Sequence, residues 1–207
     1  MYQKRFKRVI DVVLTLLGLI ILSPILLLII IAIKSSSKGP ILFKQKRVGK
    51  DKILFNIYKF RTMKIETPKD APTHLLKNPD LFITKVGKFL RKTSLDELPQ
   101  LINILKGEMS IIGPRPALWN QYDLVKERDK YHANDIYPGL TGWAQINGRD
   151  ELPIRKKAAL DGEYMNNISF LFDVKCFIGT IISVVKNDGV VEGGTGSLKN
   201  REAMKND

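Results

Sequence analysis

Apolar side chains fill almost every position from 12 to 33, and the run is cut near its midpoint by Ser23 and Pro24. A straight helix of that length reaches about 33 Å, enough to cross the hydrocarbon core of a bilayer. Proline removes an intrahelical hydrogen bond and clashes with the preceding turn, so the pattern predicts a bend that leaves two arms of about 16 Å. Lys4, Arg5, Lys7 and Arg8 precede the run, and Lys34, Lys38, Lys44, Lys46, Arg47, Lys50 and Lys52 follow it. The positive-inside rule places both clusters in the cytoplasm, which a single span cannot do. A re-entrant helix-break-helix can, with the Ser23 hydroxyl satisfying a carbonyl freed at the bend. A Pro-kinked spanning helix is the other reading of the same residues.

Beyond the anchor the periodicity changes. Residues 41–48 and 53–60 are strand-like around a Gly49-Lys50-Asp51 turn and predict a β-hairpin. Residues 64–80 hold Pro68, Pro72 and Pro79 and predict a loop. Residues 81–92 predict a short basic helix. Leu98, Leu101, Ile102 and Leu105 follow helical spacing up to Gly107, and residues 119–132 predict an amphipathic, charged helix. Residues 168–185 are apolar but carry Asp173 and Lys175; their uncharged part is too short to span a membrane and predicts a core or interfacial helix. The whole is α+β and mainly helical: an anchor over 1–38, one small domain with a hairpin over 39–190, and a Gly-rich polar tail over 191–207.

Charge sharpens this picture. Lys and Arg outnumber Asp and Glu 20 to 7 within residues 1–100 and equal them, 14 to 14, in residues 101–207, so the anchored half carries the whole net charge of +13. Basic residues beside an apolar anchor suit anionic headgroups and phosphorylated substrates. No nucleic-acid-binding signature accompanies them, which argues against a nucleic-acid partner. The single cysteine, Cys176, excludes an internal disulfide framework. Neither His74 nor His132 has a partner at metal-ligand spacing, which argues against zinc. The apolar run is too long for a signal-peptide core.

Candidate chemistry centres on Asp96 and Glu97, adjacent carboxylates after Lys85, Lys88, Arg91 and Lys92. Ser94 followed by Glu97 is also the pattern of a helix capping box. Nearby cations and a helix start predict that both acids are ionised, fit to bind Mg²⁺ or to attack phosphorus. In Gly113-Pro114-Arg115-Pro116 one guanidinium stands between two prolines, a rigid mount for a group that matches phosphate oxygens. The segment from Pro138 to Arg149 contains Gly139, Gly142 and Gly148, which allow close backbone approach to a ligand, with Gln145 and Arg149 as candidate contacts. Lys59 and Arg61 add cations after a predicted strand.

In chain order, the Ser23-Pro24 helix, Lys59-Phe60-Arg61-Thr62-Met63, Ser94-Leu95-Asp96-Glu97-Leu98-Pro99-Gln100-Leu101, the stretch ending Gly113-Pro114-Arg115-Pro116 and the stretch from Pro138 to Arg149 resemble the bacterial sugar transferases. These are monotopic phosphoglycosyl transferases, and the likeness runs from about residue 4 to 190. It implies a plasma-membrane protein on the cytoplasmic face, moving a sugar-1-phosphate from a UDP-sugar to undecaprenyl phosphate with Mg²⁺ through an aspartyl-phosphosugar intermediate. The minimal form of the family is implied, with N-acetylated amino or deoxy sugars as donors. By position, Asp96 matches the nucleophile and Glu97 its partner, the two also serving as metal ligands. Arg91, Arg115 and Arg149 match phosphate-binding arginines, Lys59 a donor-side cation, and Asp173 a further acidic site. Membrane lipids, downstream glycosyltransferases and a homo-oligomer are further implied partners.

Two other readings compete. In a direct displacement Asp96 would only bind metal. A membrane-tethered basic adaptor would explain charge and anchor, but not an acidic pair among cations.

Overall fold

A computed structural model describes residues 2–67, 82–148 and 152–186. The Pro-rich loop expected over 64–80 lies mostly outside them, as do the tail and Arg149. A π-helical turn, Tyr2–Phe6, leads into helix α1, Lys7–Ser36, which is long and apolar enough to cross a membrane by length and composition. The residues on both sides of Pro24 stay helical, in one assigned helix. The reason lies one residue earlier. Pro24 has no N–H for the carbonyl of Ile20, and the Ser23 hydroxyl donates to that carbonyl instead, at 2.8 Å.

The helix is not a detached stalk. Near its start Asp11 accepts from the Ser110 hydroxyl (2.7 Å) and the Ile111 amide (3.2 Å), and Arg8 donates to the Leu105 carbonyl (3.2 Å). Near its end Ile29 and Ile33 are buried with Phe60 and Leu90 in one core cluster. The remaining face is bare, with Ile20 and Ile21 about 70 % exposed.

Strands β1 (Leu42–Val48) and β2 (Leu54–Phe60) form the expected antiparallel hairpin, Phe43 opposite Lys59 and Arg47 opposite Phe55. The turn falls at Lys50–Lys52, with Asp51 and Lys52 at positive φ. Helix α2 (Lys85–Lys92) is capped by the Thr84 hydroxyl, which accepts from the Gly87 amide at 2.9 Å. A 3₁₀ turn (Leu95–Glu97) separates it from α3 (Gln100–Lys106), which Gly107 closes at φ 82°.

Strand β3 (Ser110–Ile112) pairs in parallel with β4 (Gly139–Thr141). This pairing explains two glycines. A Cβ on Gly139 would stand 2.1 Å from the Gly113 amide nitrogen, and one on Gly142 would stand 2.0 Å from the Gly113 carbonyl oxygen. These glycines admit neighbouring backbone rather than a ligand.

Helix α4 (Tyr122–Asp129) packs on α6 (Ile154–Asn166), with the short α5 (Trp143–Ile146) between β4 and α6 in sequence. Helix α7 (Phe170–Lys186) buries Asp173 and Cys176 and leaves Leu171, Phe177, Ile178, Ile181 and Ile182 exposed, the two-faced helix its composition predicts.

Candidate active site

Ser94 sets the local geometry. It adopts φ 56°, ψ 15°, a left-handed conformation that non-glycine residues seldom take. The kink ends α2 and turns the next residues into the 3₁₀ turn, so that Asp96 and Glu97 are both buried, each 8 % exposed. Such strain costs on the order of 1–2 kcal/mol and persists where surrounding structure enforces it. The capping box does not form: no side-chain bond from Ser94 caps the turn. Glu97 turns instead to cations, accepting from Lys59 Nζ at 2.7 Å and from Arg115 Nη2 at 2.8 Å.

Burial and charge pull the two acids apart. Burial alone would raise both. For Glu97, Arg115 and then Lys59 outweigh it and hold the carboxyl well below its usual range. For Asp96 burial prevails over Lys59, and the charge of Glu97 adds to the rise, so its carboxyl sits above its ordinary value. The expectation that cations would depress both therefore holds for Glu97 and fails for Asp96. The Asp96 carboxylate has no hydrogen bond or ion pair among the described residues, yet feels Lys59, Arg91 and Arg115.

Three elements deliver these cations. Lys59 comes from β2 beside Phe60. Arg91 lies in the last turn of α2, its Nε donating to the Thr62 hydroxyl at 2.9 Å. Arg115 follows β3, and its carbonyl accepts from Arg128 Nη1 at 3.0 Å. Arg128 is itself buried and paired with Asp161 of α6 at 2.6 Å. Neither Arg128 nor Asp161 stood out in the sequence, where each is one charge among many on a polar helix.

Beside this cluster is a cavity of about 340 Å³ whose walls include Glu97, Arg115, Leu140, Gln145, Phe177 and Ile181. Asp96 is not part of that wall. The Gln145 amide is buried without a hydrogen-bond partner among the described residues.

Two other candidates are placed elsewhere. Arg61 donates to the carbonyls of Ser37 (2.8 Å) and Lys38, closing the chain that leaves α1. Asp173 accepts from Tyr2 (2.7 Å), Lys7 (2.5 Å) and Tyr164 (2.6 Å), tying the start of α1 to α6 and α7, and it does not line the cavity. Among the described residues no group of three or more His, Cys, Asp or Glu side chains is arranged to hold a metal.

The arrangement can therefore present an unpartnered carboxylate to an electrophile inside a ring of cations. Known proteins resemble the chain over most of its length. The family model for bacterial sugar transferases matches residues 2–187. An uncharacterized sugar transferase, EpsL of Bacillus subtilis (strain 168), is 40 % identical over 184 residues, covering 89 % of each chain. A UDP-glucose:undecaprenyl-phosphate glucose-1-phosphate transferase of Escherichia coli (strain K12) is 44 % identical over 187 residues, 86 % of this chain but 40 % of its own length. The exopolysaccharide production protein ExoY of Sinorhizobium fredii is 36 % identical over 197 residues, covering 88 % of this chain and 87 % of its own.

Proposed function

Because the chain belongs to the bacterial sugar transferase family, we propose that it transfers a sugar-1-phosphate from a UDP-sugar to undecaprenyl phosphate, starting assembly of a surface polysaccharide or other glycan. The observation that carries this reading is the Asp96–Glu97 pair, one carboxylate unpartnered and the other held by Lys59 and Arg115. In the first step an Asp96 oxygen attacks the sugar-bearing phosphorus, the bond to the bridging oxygen breaks, and UMP leaves with that electron pair. In the second, a phosphate oxygen of undecaprenyl phosphate attacks the same phosphorus and the Asp96 carboxylate is released. Soluble donor and lipid acceptor then never need to be bound together. Lys59, Arg91 and Arg115 offset the charge on the phosphates and on the leaving UMP.

The residues that would hold Mg²⁺ are Asp96 and Glu97. So small a set fits this ion, which is usually held by one or two carboxylates together with water and substrate phosphates. Bound there, it would supply charge neutralisation at the diphosphate. Arg149 remains a proposed phosphate ligand on sequence grounds alone.

For the donor, the resemblance suggests an N-acetylated amino or deoxy sugar, whereas the E. coli relative's name specifies UDP-glucose. Purified protein in lipid, given undecaprenyl phosphate, Mg²⁺ and a panel of such UDP-sugars, should release UMP with one class. Release with none of them would remove the assignment and favour the basic adaptor.

The same reading places the protein on the cytoplasmic face of the plasma membrane, with α1 entering and returning. What supports this is that both ends of α1 rest on one domain, Asp11 on β3 and Ile33 on the core with Leu90. An upright span could keep only one end there. Cysteines at Gln3 and Lys38 should label from the same side of sealed vesicles. Cys176 will stay silent, since it is fully buried and burial, with Asp173 nearby, pushes its thiol up to about 12. Labelling from opposite sides would establish a spanning helix.

A further inference from the structure

The two-step chemistry occupies only the charged end of the cavity. Away from Glu97 and Arg115 most of the wall is apolar, with Ile111, Leu140, Ile146, Phe177, Ile181 and Val184, interrupted by the hydroxyls of Thr141, Thr180 and Ser183. The hydroxyl oxygens of Thr141 and Thr180 are 2.7 Å apart, and Thr180 also donates to the Cys176 carbonyl at 2.8 Å, so the protons of these two hydroxyls are committed within the protein. A sugar or a uracil lodged among these walls would lose its hydrogen bonds to water with little in return.

The shape of the polarity is that of an amphiphile. Arg115 is a donor in the cavity wall and also one of the cations acting on Asp96. The Gln145 carbonyl oxygen lies 3.0 Å from where a Cβ on Gly142 would stand, against the backbone of Gly113, so the unpartnered amide belongs beside the Gly113-Pro114-Arg115-Pro116 loop. The charged groups and the unpartnered amide thus gather at the Arg115 end, and a mostly apolar wall extends from there to α7.

We propose that this cavity holds the first isoprene units of the polyprenyl phosphate acceptor, with its phosphate at Arg115 and Gln145. The inference rests on the transferase reading and adds where its lipid substrate sits. Volume agrees: an apolar cavity of about 150 Å³ accepts benzene, so the space here suits about two five-carbon units. Access agrees as well. Phe177 and Ile181 form part of the wall and are also half exposed, at 50 % and 52 %, on the apolar face of α7 that includes Leu171, Ile178 and Ile182. A lipid lying along that face reaches the cavity without passing through water.

The test uses full-length protein in lipid vesicles and an undecaprenyl phosphate analogue with a diazirine in its second isoprene unit. Photolysis should give adducts within residues 140–146 or 177–184, displaced at least tenfold more effectively by undecaprenyl phosphate than by undecaprenol. Adducts confined to the bare face of α1, or equal displacement by the alcohol, would overturn the site. Leu140→Trp and Ile181→Trp, which fill the space from opposite walls, should raise the acceptor KM tenfold or more while the donor KM moves less than twofold. Unchanged acceptor KM in both variants would also overturn it. If wild-type protein releases no UMP but still shows displaceable cavity labelling, the lipid site stands and the transfer reading falls. Normal transfer without cavity labelling removes the site alone.

Discussion

Asp96→Asn is expected to abolish UMP release and product formation together, by a factor of at least about 1,000, as loss of a nucleophile does in other covalent enzymes. The same variant should melt at the same or a higher temperature. Burial, aided by the charge of Glu97, lifts the Asp96 carboxyl above its ordinary value, so carrying the ionised group costs the folded protein stability and an uncharged amide removes that cost. Lost activity with retained stability would separate a reacting group from a structural one. Direct displacement, with Asp96 only binding metal, predicts the same loss of activity, so a second measurement is needed. Wild-type protein given labelled UDP-sugar and Mg²⁺ without acceptor, then digested, should carry label on the peptide containing Asp96. Product formation with no such adduct at any time would favour direct displacement, and full activity in Asp96→Asn would end both.

Arg115→Ala should reduce transfer by about 10- to 150-fold, the equivalent of one charge-assisted hydrogen bond worth about 1.5–3 kcal/mol. From sequence alone this arginine is expected to be dispensable for folding. The structure changes that expectation, because Glu97 is buried and Arg115 is one of its two cationic partners. Removing one partner of a buried pair is costly, and Lys59 compensates in part, so a loss of about 1–3 kcal/mol is expected. Arg115→Lys distinguishes the roles. A single ammonium can rejoin Glu97 but cannot present a planar fork to phosphate, so stability should recover more than transfer. Equal recovery of both would make Arg115 a structural counter-ion only.

Elements with strong periodicity were legible in the chain: the hairpin around Lys50–Lys52, the helix ending at Gly107, and α7 with its two faces. Helix α6 was not. It buries Ala158 and Gly162, and a Cβ on Gly162 would stand 2.5 Å from Cβ of Tyr131. Close packing through small residues leaves little hydrophobic pattern to read. Pairing of β3 with β4 was hidden for a similar reason, since strands of three residues have too few positions to show alternation. At the site, Asp96, Glu97, Lys59 and Arg115 could be nominated by charge and motif, but their partners could not. Asp173 and Arg61 looked the same as site residues in sequence, and only the fold shows their charges used to fasten α1. Ser94 matched a cap by spacing, yet its positive φ turns Glu97 away from the helix start.

The contact between Lys7 and Asp173 joins residues 166 positions apart. Read as a sequence of events during synthesis, that distance becomes a delay. At roughly 5–20 residues per second, the ribosome delivers Asp173 on the order of ten to thirty seconds after Lys7. Tyr164, which shares the same carboxylate, arrives only slightly earlier. Through that interval Lys7 lacks its carboxylate partner, whereas Asp11 waits only for Ser110 and Ile111. The start of α1 is made before each group that fastens it, Leu105 and Ser110 first and Asp173 after them, so the order of the chain lets membrane association precede closure of the domain on this helix.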